Sequence, residues 1–279
     1  MIASHFLRRS LLTLLLAAGA TGAFAQALFE PQVGQEGKDV IWVPTPQALV
    51  DKMLDMAKMT PNDYVIDLGS GDGRTVITAA KRGARAMGIE YNPDMVELSK
   101  RNADKEGVAG KASFMKADLF ESDLSQATVI TMYLLPQINL KLRPKILDLK
   151  PGTRIVSHAF TMDDWTPDDK ATVSDSNSYN RNAYLWIVPA KVEGSWQMQQ
   201  GELSLKQSFQ MFTGTLKSGG NSTLITNGKL RGDQISFTAG NAEFSGRVSG
   251  TSIEGTVKGS SAGSWYATRS GMPAAAPNK

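Results

Sequence analysis

The run Asp67-Leu68-Gly69-Ser70-Gly71-Asp72-Gly73 sets three glycines at alternate positions directly behind an acidic residue. Glycines in such a loop let the backbone approach a ligand where a Cβ would collide. The dinucleotide fingerprint places its third glycine one position later and aims backbone amides at a pyrophosphate. The shorter spacing here, led by a carboxylate, suits a ligand that carries an ammonium group and no phosphate. Two further acids extend the pattern. Glu90 closes an apolar run, where its carboxylate can accept from both hydroxyls of a ribose, and Asp118 follows the next run, near an adenine amino group. Taken singly, the loop is also a tight-packing turn and each acid a strand-end residue or helix cap. Together they fall at successive carboxyl ends of neighbouring strands, where open α/β sheets bind ligands.

The elements that must carry these residues are legible as alternating strand-like and helix-like stretches up to about residue 190, which predicts a parallel sheet. Strands are expected at 64–68, 84–89, 112–115, 128–132 and 154–157, with a closing antiparallel pair at 173–176 and 183–188. Pro46 suits a helix N1 position ahead of a face formed by Leu49, Val50, Met53, Leu54 and Ala57. A helix opens near Arg74, another starts from the cap pair Asn92-Pro93, and a third covers 138–149.

After Pro189 the helical period vanishes. Alternating runs at 202–206, 211–216, 234–237, 244–248 and 252–257, separated by Gly, Ser and Asn, read as a small antiparallel meander, sandwich or barrel.

At the N-terminus, Arg8-Arg9 precedes an apolar run from Leu11 to Ala20, and Ala23-Phe24-Ala25 has the small residues of a cleavage site. The run is short for a membrane span of about 20 residues. A signal peptide over 1–25, cut after Ala25, is therefore expected, leaving no stable membrane span and a periplasmic or secreted protein. The domains follow as 26–190, 191–270 and a disordered Ala/Pro-rich tail over 271–279. With no cysteine, disulfide frameworks and cysteine-based zinc sites are excluded. Losing Arg8 and Arg9 lowers the formal charge from +3 to +1, and no dense Lys/Arg stripe is interleaved with aromatics, so a nucleic-acid partner is not expected. The acids around Trp165 read as solvated loops, and no metal site is expected.

This pattern resembles the class I S-adenosylmethionine (SAM) dependent methyltransferase superfamily over residues 40–190. The likeness is closer to the seven-β-strand protein-lysine methyltransferases related to the mitochondrial enzymes of the ATP synthase c-subunit and the adenine nucleotide translocase. It rests on Val43-Pro44-Thr45-Pro46, on the glycine loop through Arg74, on Tyr133-Leu134-Leu135-Pro136 and on the run from Lys150 to His158. The resemblance implies a Rossmann-like α/β sheet with flanking helices, ahead of the small all-β antiparallel domain. It implies SAM as cofactor, held by Asp67, Gly69, Ser70, Gly71, Gly73, Glu90 and Asp118, with Pro44 and Thr45 closing over it. It also implies a methyl acceptor that is a protein lysine or a small molecule. Similar exported bacterial proteins pair this domain with a β-rich tail, which suggests an envelope partner for residues 191–270.

Methyl transfer from a sulfonium is mainly a task of alignment and water exclusion. A lysine amine must be neutral to react, and burial beside a cation lowers its pKa. Tyr133, at the end of the fourth strand, is a candidate wall of the acceptor channel or a packed strand-end ring. His158 is a candidate base or a satisfied structural histidine. The fourth strand lacks the Asn-Pro-Pro motif of nucleic-acid amino-methylating enzymes. Asp72 and Arg74 read as loop-shaping or carboxylate-binding residues. Two functions follow from the sequence: a methyltransferase acting on a protein side chain, or a non-catalytic SAM-binding module that recruits an envelope partner.

Overall fold

The computed structural model describes residues 29–174, 180–199, 201–259 and 262–270. The expected signal segment, 1–25, and the tail, 271–279, lie outside the described residues. Among those described, no helix is long and apolar enough to cross a membrane.

The first part of the chain runs α1 (Gln47–Met56), β1 (Tyr64–Leu68), α2 (Arg74–Lys81), β2 (Arg85–Glu90), α3 (Pro93–Lys105), β3 (Ala112–Lys116), β4 (Val129–Met132), α4 (Pro136–Leu147), β5 (Arg154–His158), β6 (Asp169–Thr172) and β7 (Asn182–Ile187). The strands form one seven-stranded sheet in the order β3-β2-β1-β4-β5-β7-β6. Neighbours from β3 to β5 are parallel, while β7 runs antiparallel to both β5 and β6. Strand order reverses between β1 and β4, and that switch point opens a crevice at the strand carboxyl ends.

Side-chain alternation divides the core in two. Val65, Val129 and Val156 face one layer with Leu49, Val50, Val76 and Val96 of α1, α2 and α3. Their neighbours Ile66, Ile130 and Ile155 face the other with Leu142 and Ile146 of α4, backed by Trp165 and Trp186. Each fully buried aliphatic side chain contributes about 1.5–3 kcal/mol relative to exposure. These layers make the strand ends a rigid base for the site.

Several local expectations shift. Pro46 sits at the N-cap of α1 rather than N1, with an extended ψ of 141°. Asn92 caps α3 as expected, its side chain accepting from the N–H groups of Asp94 and Met95. The closing pair exists, but its first strand is β6 at Asp169–Thr172 rather than 173–176, of which 175 and 176 lie outside the described residues. The acidic stretch around Trp165 is not simply a solvated loop: Trp165 is buried, Asp164 pairs with Arg143, and Asp168 accepts from the Ile187 N–H.

The second part comprises β8 (Gly194–Met198), β9 (Gly201–Ser208), β10 (Met211–Ser218), β11 (Asn221–Arg231), β12 (Gln234–Ala239), β13 (Ala242–Ser249), β14 (Ser252–Lys258) and β15 (Gly263–Arg269). They form an up-and-down antiparallel barrel closed by β15 on β8. Trp196, Phe212, Phe237, Phe244 and Trp265 fill its interior. Phe237 stacks on Phe244 at 4.6 Å, and Trp265 meets both edge-on. Closure removes the sheet edges that would otherwise template aggregation. The barrel rests on the first part where Phe209 stacks on Trp165 at 5.8 Å and Gln210 Nε2 donates to the Thr166 carbonyl.

Candidate active site

The crevice at the switch point is a cavity of about 410 Å³, lined from the glycine loop, the ends of β2, β3 and β4, and residues 35–45. Cavities of this size hold drug-sized ligands.

Its floor is the loop after β1. The N–H groups of Gly69 and Ser70 donate to the Ile89 carbonyl, and Gly73 closes a turn back to Ser70. Gly69, Gly71 and Gly73 take φ of +73°, +55° and +83°, which side chains rarely adopt. Space forbids a Cβ as well. One on Gly71 would lie 2.6 Å from Trp42 Nε1, and one on Gly73 would lie 2.8 Å from the Phe114 ring. Ser70 Oγ is buried without a hydrogen-bond partner.

Asp67 is the penultimate residue of β1 and is only 7% exposed. Thr131, directly opposite on β4, donates its hydroxyl to Asp67 Oδ1 at 2.6 Å. Burial, with repulsion from Asp72 and Glu90, pushes the Asp67 carboxyl up to about 7. Among the described residues no basic side chain pairs with it. A buried carboxylate in an acidic neighbourhood, beside a backbone cradle, fits a ligand that brings its own ammonium group.

Glu90 accepts the Gly71 N–H on Oε2 (3.0 Å) and the Asn92 N–H on Oε1 (2.9 Å). These bonds fix its orientation and leave each oxygen a second lone pair for a ribose hydroxyl. Asp118 accepts from the Phe120 N–H and is paired with Lys38 Nζ at 2.6 Å, contacts that hold its carboxyl below the usual range. Lys38 belongs to a hairpin in which Gly34 donates to the Trp42 carbonyl and Trp42 donates back to Gln35. That hairpin continues into Pro44 and Thr45, which line the cavity. Arg74 binds Asp72 through both Nε and Nη2 and donates from Nη1 to the Thr45 carbonyl at 3.0 Å. Arg74 and Asp72 therefore shape the loop and anchor the strap over it.

Tyr133 and Phe160 add an aromatic wall to the cavity, their rings stacked at 6.2 Å. His158 is 1% exposed and stands behind Tyr133, stacked on it at 3.7 Å. Its Nδ1 contacts Thr45 Oγ1 and its Nε2 the Asn180 carbonyl, so neither nitrogen faces the cleft. Burial pushes its pKa down to about 4.

The crevice thus gathers Pro44, Thr45, Asp67, Gly69, Ser70, Gly71, Glu90, Asp118 and Tyr133 around one space. Gly73 caps α2 just beneath, and His158 lies one layer back. Sequence reasoning did not find Lys38, Trp42, Thr131, Phe160 and Asn180. Of these, only Thr131 falls within an expected strand, 128–132.

The seven-stranded sheet with its reversed final strand, and a glycine loop led by a buried carboxylate, define a class I SAM-dependent methyltransferase. Residues 67–169 match the ANTKMT methyltransferase domain. The chain is 45% identical over 152 residues to a protein-lysine N-methyltransferase of Saccharolobus islandicus, covering 53% of this chain and 94% of that protein. It is 37% identical over 128 residues to the human lysine N-methyltransferase of the ATP synthase c-subunit, a match over 46% of this chain but 54% of that protein. It therefore spans about half the length of the human relative. A Salinibacter ruber protein described as an RNA methyltransferase, solved with S-adenosyl-L-homocysteine, is 46% identical with a TM-score of 0.51, covering 54% of this chain and 96% of that one. Within its class, this chain belongs to the protein-lysine methyltransferase family, and its cofactor is SAM.

Proposed function

We propose that this chain transfers a methyl group from SAM to the amine of a protein lysine, and that it works outside the cytoplasm. The observation that carries the methyl-transfer reading is the buried Asp67 carboxylate, unpaired with any described cation, in a cleft that is also walled by Tyr133 and Phe160. When bound, SAM supplies a sulfonium-activated methyl group. Asp67 would hold the ammonium of its amino acid end, the glycine loop its backbone-facing side, Glu90 the ribose hydroxyls and Asp118 the adenine amino group. Pro44 and Thr45 close the strap and exclude water.

Burial beside the cationic sulfonium would disfavour a charged amine by desolvation and like-charge repulsion, so an entering lysine is pushed toward its neutral, nucleophilic form. Orientation between two fixed walls then provides most of the rate. Lysine as the acceptor is supported by the names of the archaeal and human relatives. The Salinibacter relative names RNA instead. The near-neutral charge of the chain after loss of Arg8 and Arg9 favours protein. Offering purified protein methyl-labelled SAM with envelope proteins and, separately, with total RNA tests this: label in protein supports the reading, and label in RNA alone defeats it.

Export is supported by Arg8-Arg9, the apolar run and Ala23-Phe24-Ala25. SAM is made in the cytoplasm, so export requires either supply of SAM to the envelope or loading before a twin-arginine passage. A compartment-sensitive reporter fused to residues 1–30 decides it: signal in the envelope supports export, and a cytoplasmic signal rejects it. The barrel interior is filled by side chains, which leaves its outer surface as the part able to bind an envelope partner.

A further inference from the structure

Thr45, Tyr133, His158 and Asn180 come from four separate segments and close on one another. His158 Nε2 lies 3.1 Å from the Asn180 carbonyl, which can only accept, so Nε2 carries the proton. Nδ1 is then an acceptor, and Thr45 donates its hydroxyl to it at 3.0 Å. Asn180 also reaches round the ring, its Nδ2 donating to the Tyr133 hydroxyl oxygen at 3.1 Å. That bond leaves the Tyr133 hydroxyl proton available to the cleft. On the far side, the Thr45 carbonyl is held by Arg74, and Arg74 by Asp72 of the glycine loop.

We infer that His158 is a positioning residue, which sets the acceptor wall at Tyr133 against the cofactor strap at Thr45 and takes no proton in the reaction. Nδ1 is spent on the Thr45 strap and Nε2 on Asn180, which in turn bonds the Tyr133 hydroxyl, and the ring face supports the Tyr133 ring. The network ties the acceptor end of the cleft to the glycine loop, so alignment between amine and methyl donor passes through it. The inference rests on the methyl-transfer reading above, but not on lysine as the acceptor.

The chain has two histidines, His5 and His158, so protein lacking residues 1–25 gives a single imidazole signal. Nitrogen-15 NMR of that signal tests the arrangement without any turnover, which separates its failure from failure of the functional reading. A neutral Nε2–H tautomer unchanged from about pH 5.5 to about pH 8.5 is expected. An Nδ1–H tautomer, or a titration midpoint inside that range, overturns the inference.

Kinetics supply the second arm. His158→Phe keeps a ring but loses both hydrogen bonds, and it is expected to raise acceptor KM about tenfold with SAM Kd changed less than about threefold. His158→Gln can accept from Thr45 and donate to Asn180, and it is expected to recover to within about threefold of the parent without altering the pH profile. Should His158→Phe not fold, Tyr133→Phe serves in its place: it removes the link to Asn180 together with the hydroxyl that faces the cleft, and should raise acceptor KM with SAM Kd changed less than about threefold. A loss above about 100-fold in His158→Gln, the size of a missing general base, contradicts the inference.

Discussion

Asp67 on β1 and Thr131 on β4 stand directly opposite each other at the switch point of the sheet, and the Thr131 hydroxyl donates to Asp67 Oδ1 at 2.6 Å. The pairing puts a buried carboxylate, raised to about 7, where strand order reverses and a cleft must open. The Thr131 and Thr75 hydroxyls keep that carboxylate partly satisfied, while burial, Asp72 and Glu90 press it toward protonation.

SAM affinity should therefore depend on pH. Only ionised Asp67 pairs with an ammonium, so affinity is expected to rise several-fold from about pH 6 to about pH 7.5, then fall as the amine itself loses its proton near 8. Asp67→Asn should bind weakly and lose the rise. Titration calorimetry across that range checks it, and a flat profile in the parent protein would count against an unpaired Asp67.

The same group sets the sign of a stability change. Its folded pKa, about 7, lies above the ordinary 3.8, so the folded state holds a proton that the unfolded chain has released between those values. Without ligand, this group's contribution to stability is present below about pH 4 and is lost as pH rises toward about 7. Asp67→Asn should remove that decline, as denaturant titrations at pH 5 and pH 7 with both proteins would show.

Thr131→Val removes the hydroxyl and keeps the shape of the side chain. A hydrogen bond to the charged form favours it, so Asp67 should become about one unit harder to ionise. The pH dependence of SAM binding should move upward by that amount. An unchanged midpoint would mean that the Asp67–Thr131 bond does not tune the site.

Gly73 tests the loop. Alanine there meets both a φ of +83° and the Phe114 ring at 2.8 Å. Gly73→Ala is expected to cost about 1–3 kcal/mol of stability and to weaken SAM binding at least tenfold. Thermal unfolding and calorimetry together would show it.

The barrel offers a control. Phe237→Ala removes the ring that stacks on Phe244 and meets Phe212 and Trp265 edge-on, at a cost of about 3–5 kcal/mol. SAM affinity should stay within about twofold, because among the described residues none of the barrel lines the cleft. A large loss of affinity would show that the barrel supports the cofactor site.

How much of this was legible follows from burial. β1 and β2 were readable because Tyr64–Leu68 and Arg85–Glu90 are largely buried runs that end in Asp67-Leu68 and Glu90. β6 was misplaced because Asp169–Thr172 is a polar, exposed edge strand held by its pairing with β7 rather than by its own side chains. In the barrel, β8 turns a single fully buried residue inward, Trp196, so its alternation was too thin to detect. Lys38 and Trp42 had no signal at all: they sit in an irregular strap whose position is set by Asp118 and by the bare backbone of Gly71. Of the two readings of His158, the structural one is the basis of our inference for a reason no spacing reveals, since Thr45 and Asn180 reach its two nitrogens from distant segments.

The central claim is tested most directly by locating the transferred methyl group. Purified protein, methyl-labelled SAM and envelope proteins would be incubated, digested and sequenced by mass spectrometry, with Asp67→Ala run in parallel. Label on lysine Nε in the parent reaction, and none with Asp67→Ala, is the predicted result. SAM binding without label on any protein would contradict the account and leave a cofactor-binding module in its place.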